Sequence, residues 1–215
     1  MNCISRFFFV SCFACAGIGA AFAGAPDPVD YAQYEKDANA VPVLQSRFSG
    51  SIHDVAFSPD GKYFASAGTD RTLKIWTSDG ILVKVISGHS DSLGGVAYSP
   101  DGRYIATSSD DRTVRLWTAD GRPLQTIQLK PGYGAADISF SPDSEHLVIG
   151  DKDDGRIVNL NSNVIRTICF PGLMALSHDG KYIASCTSRL FTLWTFDGRL
   201  VASRDLPNPG ASVYA

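Results

Sequence analysis

A short turn sequence recurs along this chain. Ser-Pro-Asp stands at Ser58, Ser99 and Ser141, and Ser-His-Asp follows at Ser177, at intervals of 41, 42 and 36 residues. A second one, Trp-Thr-x-Asp-Gly, recurs at Trp76, Trp117 and Trp194. A period near 40 residues means repeated supersecondary units. Each is too small to bury both of its faces alone and must stack on its neighbours.

The stretch Ser87–Gly121 shows what one unit is. Val96–Ser99 alternates apolar and small residues and runs into Pro100-Asp101-Gly102, an Asp-Gly hairpin signal. Tyr104–Ser108 returns, Asp110-Asp111-Arg112 turns, and Thr113–Thr118 is rich in β-branched and aromatic residues. After Asp120-Gly121, Pro123–Leu129 makes a fourth strand. The unit is therefore a four-stranded antiparallel meander, and the chain is predicted to be all-β.

On these residues the second unit resembles a blade of the WD-repeat (WD-40) β-propeller family. Gly88-His89 precedes its first strand, Asp111 lies in its second turn and Trp117 in its third strand. The resemblance implies a buried hydrogen-bond chain of His89, Thr107, Asp111 and Trp117, with a structural role. The first unit would carry Ser66, Asp70 and Trp76. Gly50-Ser51 replaces Gly-His there, and His53 is either a substitute or a surface residue. The fourth unit keeps Ser185 and Trp194, with Arg189 or a neighbour in place of the turn Asp. The third is degenerate: Ile149 stands at the hydroxyl position and Asn159 or Leu160 at the Trp position, while Asp153 or Asp154 keeps the turn. The expected fold is a propeller of four such blades, about 43–86, 87–129, 130–168 and 169–206, followed by a tail at 207–215.

Strand counting leaves a remainder. Val43–Ser49 aligns with the outer strand Leu82–Ser87, so five outer strands accompany four inner triplets. WD-type rings resemble one another in closing the last blade with the N-terminal outer strand, yet here the last blade has its own. The chain reads as the front of a larger ring cut at its C-terminal end. The alternatives are a ring filled by self-association or by another chain, and an open arc with exposed sheet faces.

The first 23 residues read as a secretory signal: Arg6, the apolar run Phe7–Ile18, and Ala21-Phe22-Ala23 ahead of Gly24. A short anchor, or a lipoprotein site at Cys12, is the weaker reading. The expectation is export to a periplasm or the outside, with residues 24–42 as a linker. Cleavage removes Cys3, Cys12 and Cys15. Cys169 and Cys186 remain, as two small buried thiols or a disulfide; the hairpin register sets Cys186 opposite about residue 172.

Net charge is −3 with no run of Lys or Arg, which argues against nucleic acid as a partner. After the leader no apolar stretch is long enough to cross a membrane. The four histidines lie in separate units, and neither zinc-ligand spacing nor a Gly-rich phosphate loop occurs. Asp151-Lys152-Asp153-Asp154-Gly155 has alternate carboxylates but lacks the spaced acid that closes a calcium loop, and reads as a solvated turn. No catalytic, cofactor or metal residues are expected. The expected function is a non-enzymatic protein-binding scaffold that uses its loops, with His53, Asp91 and Tyr133 as candidate contacts. The competing readings are the propeller part of an exported enzyme or small-molecule sensor, and an inactive truncated product.

Overall fold

The structure is a computed structural model, described here for residues 50–129, 137–150, 155–162, 165–168, 173–187 and 190–205. The expected signal, linker, outer strand at 43–49 and tail, with Tyr133, Asp151–Asp154, Cys169 and Arg189, lie outside the described residues.

Sixteen strands form four antiparallel sheets, each a consecutive meander. Sheet 1 is β1 (Ile52–Phe57), β2 (Tyr63–Gly68), β3 (Thr72–Thr77) and β4 (Leu82–Ser87). Sheet 2 is β5 (Leu93–Tyr98), β6 (Tyr104–Ser109), β7 (Thr113–Thr118) and β8 (Pro123–Gln128). Sheet 3 is β9 (Asp137–Phe140), β10 (His146–Gly150), β11 (Gly155–Asn159) and β12 (Ile165–Ile168). Sheet 4 is β13 (Leu173–Leu176), β14 (Tyr182–Cys186), β15 (Leu190–Thr195) and β16 (Leu200–Asp205). The described residues contain no helix.

The recurring turns work as their residues require. In the first, the Ser58 hydroxyl donates to Asp60 (2.7 Å) and accepts from the Tyr63 N–H, and Gly61 takes a φ of 70°. The third unit has Ser144 at that place, held at φ 60°, a left-handed conformation that costs a non-glycine residue about 1 kcal/mol. In the second, the Thr77 hydroxyl donates to Asp79 and the Gly80 N–H to the Thr77 carbonyl.

Because the strands alternate in direction, one rim of each sheet carries the inter-sheet loop and the second hairpin turn. The other rim carries the Ser-Pro-Asp and Trp-Thr-x-Asp-Gly turns.

The sheets pack face to face. The forward face of sheet 1, with Ala65, Leu73, Ile75 and Ile86, receives Val96, Ile105 and Trp117 of sheet 2. Ala106, Val114, Leu116 and Ile127 then meet Phe140, Leu147, Ile149 and Val158 of sheet 3, and Val148, Ile157 and Ile168 meet Ile183 and Met174 of sheet 4. The inner strands make the seams: β1 and β2 against β5, β5 and β6 against β9, β9 against β13. Among the described residues no comparable seam joins sheet 4 to sheet 1, and the ring is not closed.

Registers correct two sequence expectations. Val158 pairs with Leu147 as Trp76 pairs with Phe64 and Trp117 with Ile105, so Val158 occupies the Trp position rather than Asn159 or Leu160. From the paired residue of the second strand to the Trp position the chain advances 11 residues in sheet 3 (Leu147 to Val158) and 12 in sheets 1 and 2, which displaces a count carried over from those sheets. Cys186 pairs with Leu173 and is a free thiol. The first strand of sheet 2 begins at Leu93 instead of Val96, with a bulge between Leu93 and Gly95.

Candidate functional site

The most developed polar constellation sits at the loop-bearing rim of sheet 2. Gly88-His89 opens the loop that follows β4, Asp111 lies in the β6–β7 turn, and Thr107 and Trp117 lie on β6 and β7. A Cβ on Gly88 would stand 2.7 Å from the Trp117 ring, so only glycine lets His89 pass over the indole. His89 Nδ1 lies 2.8 Å from Asp111 Oδ2, and Nε2 lies 2.8 Å from the Thr107 hydroxyl, which accepts from Trp117 Nε1 at 2.9 Å. With His89 neutral every proton is placed: indole N–H to Thr107, Thr107 O–H to Nε2, and Nδ1–H to the carboxylate.

Asp111 also accepts from the Thr113 hydroxyl (2.6 Å), the Thr113 N–H (2.9 Å) and the Ser90 N–H (3.0 Å). Burial pushes this carboxyl up, but the bonds from Thr113, Ser90 and His89 outweigh it and hold it at about 2. Burial also dominates at His89 and pulls its pKa down, against the opposing pull of Asp111. Arg112 completes the turn at φ 67°, as Arg71 does at 66° in sheet 1.

Sheet 1 solves the same problem with other residues. Trp76 Nε1 donates to Ser66 Oγ at 2.8 Å. Asp70 instead pairs with the buried Lys74 ammonium, and accepts from the Thr72 N–H (3.1 Å) and hydroxyl (2.8 Å). Burial opposes ionisation of Asp70, while Lys74 and Thr72 win and lower its pKa. In sheet 4, Trp194 donates to Thr192 at 2.9 Å, and Thr192 bonds Ser185 at 2.6 Å, so Ser185 stands one step from the indole. The sequence reading did not single out Lys74, Thr113 or Thr192. Lys74 and Thr192 share one column, opposite the hydroxyl residue across the second hairpin, and that column is the signal that finds them. In sheet 3, Ile149 and Val158 put apolar side chains at the hydroxyl and Trp positions, and Arg156, opposite Ile149, donates to the Gln128 carbonyl at 2.7 Å.

The candidate contacts are scattered. His53 sits at the β1 bulge, exposed, and its Nδ1 donates to the Leu93 carbonyl at 2.9 Å, so it ties sheet 1 to sheet 2. Asp91 is exposed in the loop after His89 and accepts from the Ser92 N–H at 2.8 Å.

Two further places could hold a ligand. Asp143, Glu145 and His146 cluster at the first turn of sheet 3. Asp143 is committed there, taking the Ser141 hydroxyl (2.5 Å) and the Glu145 N–H (2.9 Å). A cavity of about 490 Å³ opens between sheets 3 and 4, lined by His146, Ile157, Asn159, Ser162, Arg166, Phe196 and Asp197. Asn159 bonds His146 at 3.1 Å, and Arg166 donates to the Asp197 carbonyl at 3.2 Å across the seam. The bonds of Asp143 stay within the first turn of sheet 3, and the Arg166 bond joins sheet 3 to sheet 4.

Residues 42–77 and 80–118 match the family model described as "WD domain, G-beta repeat". These two stretches are WD40 repeats, and they contain the polar constellations of sheets 1 and 2. Fifty residues are 48% identical to Protein HIR1 of Kluyveromyces lactis, over 23% of this chain and 6% of that protein. Forty-one residues are 44% identical to WD repeat domain-containing protein 83 of Danio rerio, over 19% of this chain and 13% of that protein. The chain thus matches only a small part of the length of these relatives.

Proposed function

We propose that this chain is an exported, non-enzymatic scaffold that binds other proteins through its loop-bearing rim, a second copy of itself among them. WD-repeat proteins generally act as protein-interaction scaffolds. One observation carries the non-enzymatic part. Thr107, His89 and Asp111 imitate a nucleophile, base and acid, yet the Thr107 hydroxyl has no exposed surface and both its roles are filled, by Trp117 and His89. A triad needs its hydroxyl open to a substrate. Here the set instead pins the 88–92 loop to the β6–β7 turn, through the bonds of His89 and Ser90 to Asp111. A rim whose loops are fixed presents a surface at low ordering cost. Export rests on the leader pattern of residues 1–23, and neither nucleic acid nor a cofactor enters the proposal.

A photo-crosslinking side chain at Asp91, with Asp60 on the opposite rim as control, tests the binding reading in cells. Protein adducts concentrated at Asp91 are expected. Equal labelling at both positions would count against it. N-terminal sequencing of the exported chain should read from Gly24; retention of Arg6 would remove the export reading.

A further inference from the structure

The sheets repeat, so a position that departs from its counterparts stands out, and one corner of sheet 3 departs at several positions together. Tyr63, Tyr104 and Tyr182 each pair with the threonine that follows the Trp position, Thr77, Thr118 and Thr195. In sheet 3 that pair is His146 and Asn159. Ser162 stands where the other sheets have Gly80, Gly121 and Gly198. Across the seam, Phe196 of sheet 4 stands where sheet 2 has Ala119. Between sheets 1 and 2, Tyr63 and Ala119 are buried in one core. Between sheets 3 and 4 the shorter imidazole meets the Phe196 ring edge to face at 5.3 Å, and the cavity of about 490 Å³ opens beside them. A cavity of this size is large enough for a small organic ligand.

Most polar atoms of the lining are already engaged. The Asn159 side-chain oxygen accepts from the Asn161 N–H (3.0 Å), the Ser162 N–H (2.8 Å) and the Ser162 hydroxyl (2.9 Å). These three donors fix the amide, so its nitrogen donates to His146 Nε2 at 3.1 Å. The imidazole proton therefore sits on Nδ1, 3.8 Å from Asp143. A nitrogen that carries a proton does not bind a metal, so the Asp143–Glu145–His146 cluster offers a cation no imidazole ligand. Asp197 accepts from the Thr195 hydroxyl and lies 3.3 Å from Arg199.

Arg166 remains. Its Nη1 donates to the Asp197 carbonyl at 3.2 Å, and in the first seam Lys84 makes the same bond to the Asp120 carbonyl. An ammonium in that place is a single point of charge. A guanidinium is a rigid fork of five N–H donors that matches a carboxylate, and Arg166 has no other partner among the described residues. The rest of the lining is apolar: Ile157, the Phe196 ring and the imidazole wall. We infer that the cavity between sheets 3 and 4 binds a small organic carboxylate with an aromatic or branched apolar body. Arg166 takes the carboxylate, and Phe196, Ile157 and His146 hold the body. The site lies at the rim opposite the protein-binding loops and does not depend on them.

Isothermal titration calorimetry of the full chain near neutral pH, with naphthylacetate, naphthylethanol and naphthylethylamine as probes, tests this. The three share a body and differ in charge. The acid is expected to bind about tenfold more tightly than the alcohol, and more tightly than the amine. Arg166→Gln should bring the acid level with the alcohol. Ser162→Phe, a change at an exposed residue of the lining, should remove binding of both and leave the denaturant midpoint near that of wild type. An alcohol or amine that binds wild type as tightly as the acid would overturn the inference. So would a Ser162→Phe chain that binds the acid like wild type, or no binding of any probe at millimolar concentration.

Discussion

Sheets 1 and 2 carry the same turn sequences at the same spacing, yet they are held together differently. Sheet 2 links indole, hydroxyl, imidazole and carboxylate in one line, and its Trp117 is sealed under sheet 1. Sheet 1 splits the line in two, Trp76 with Ser66 and Lys74 with Asp70, and its Trp76 is half-buried and stacks on Phe64. The difference follows from what precedes each sheet. His89 comes from the loop that joins two packed sheets and can descend onto the next β-turn. Sheet 1 meets the same need from within, with a lysine on its own third strand. A buried carboxylate requires a partner in either case; the repeat fixes the requirement and not the residue that meets it.

The largest test of this comparison is at the two tryptophans. Trp117→Ala removes a buried ring and the donor to Thr107, and should cost about 3–5 kcal/mol in denaturant unfolding. Trp76→Ala removes a ring that is only half-buried, and should cost about half as much. Equal losses would mean that Trp76 carries as much of the packing as Trp117.

The next test is acid. The folded-state pKa of His89 lies below its ordinary value of 6.5, so the unfolded chain binds the extra proton. The stability that this contributes is complete above about pH 6.5 and is lost as pH falls below it. Asp111, held at about 2 against an ordinary 3.8, adds a second loss as pH falls from about 3.8 towards 2. Sheet 1 holds its Asp70 without a histidine. Chemical denaturation at pH 7.5 and 5.5 should therefore show lower stability at the lower pH in wild type. In His89→Gln the difference between the two should shrink. An unchanged pH dependence in that variant would assign the acid sensitivity elsewhere.

How much of this could be read from the sequence depends on how far each unit keeps its turn residues. The fold class was legible throughout, because Ser-Pro-Asp, Trp-Thr-x-Asp-Gly and alternating strands each specify a local geometry that the others agree with. In sheet 2 the positions of His89, Thr107, Asp111 and Trp117 were legible for the same reason. The Lys74–Asp70 pair was not, since a lysine on an amphipathic strand looks like an exposed one until its register is known. Val158 was misplaced by one or two positions because the spacing from the second strand to the Trp position is one residue less in sheet 3 than in sheets 1 and 2.

The smallest test is at the inner edge, where the two sheets also differ. Asp54 accepts from the Val96 N–H at 2.8 Å and stitches sheet 1 to sheet 2, while Gly95 holds the same place in sheet 2. Burial raises the pKa of Asp54, and the charge of Asp137 adds to the rise, against the lowering effect of the N–H groups of Val96 and Val55. A carboxyl raised in the folded state destabilises the fold once it ionises, and this cost vanishes as pH falls below about 3.8. Asp54→Asn keeps an acceptor for Val96 and removes the charge. It should stabilise the chain at pH 7 by no more than about 1 kcal/mol, with a gain that disappears in acid. A loss at pH 7 would show that the ionised carboxylate is worth more to the seam than its desolvation costs.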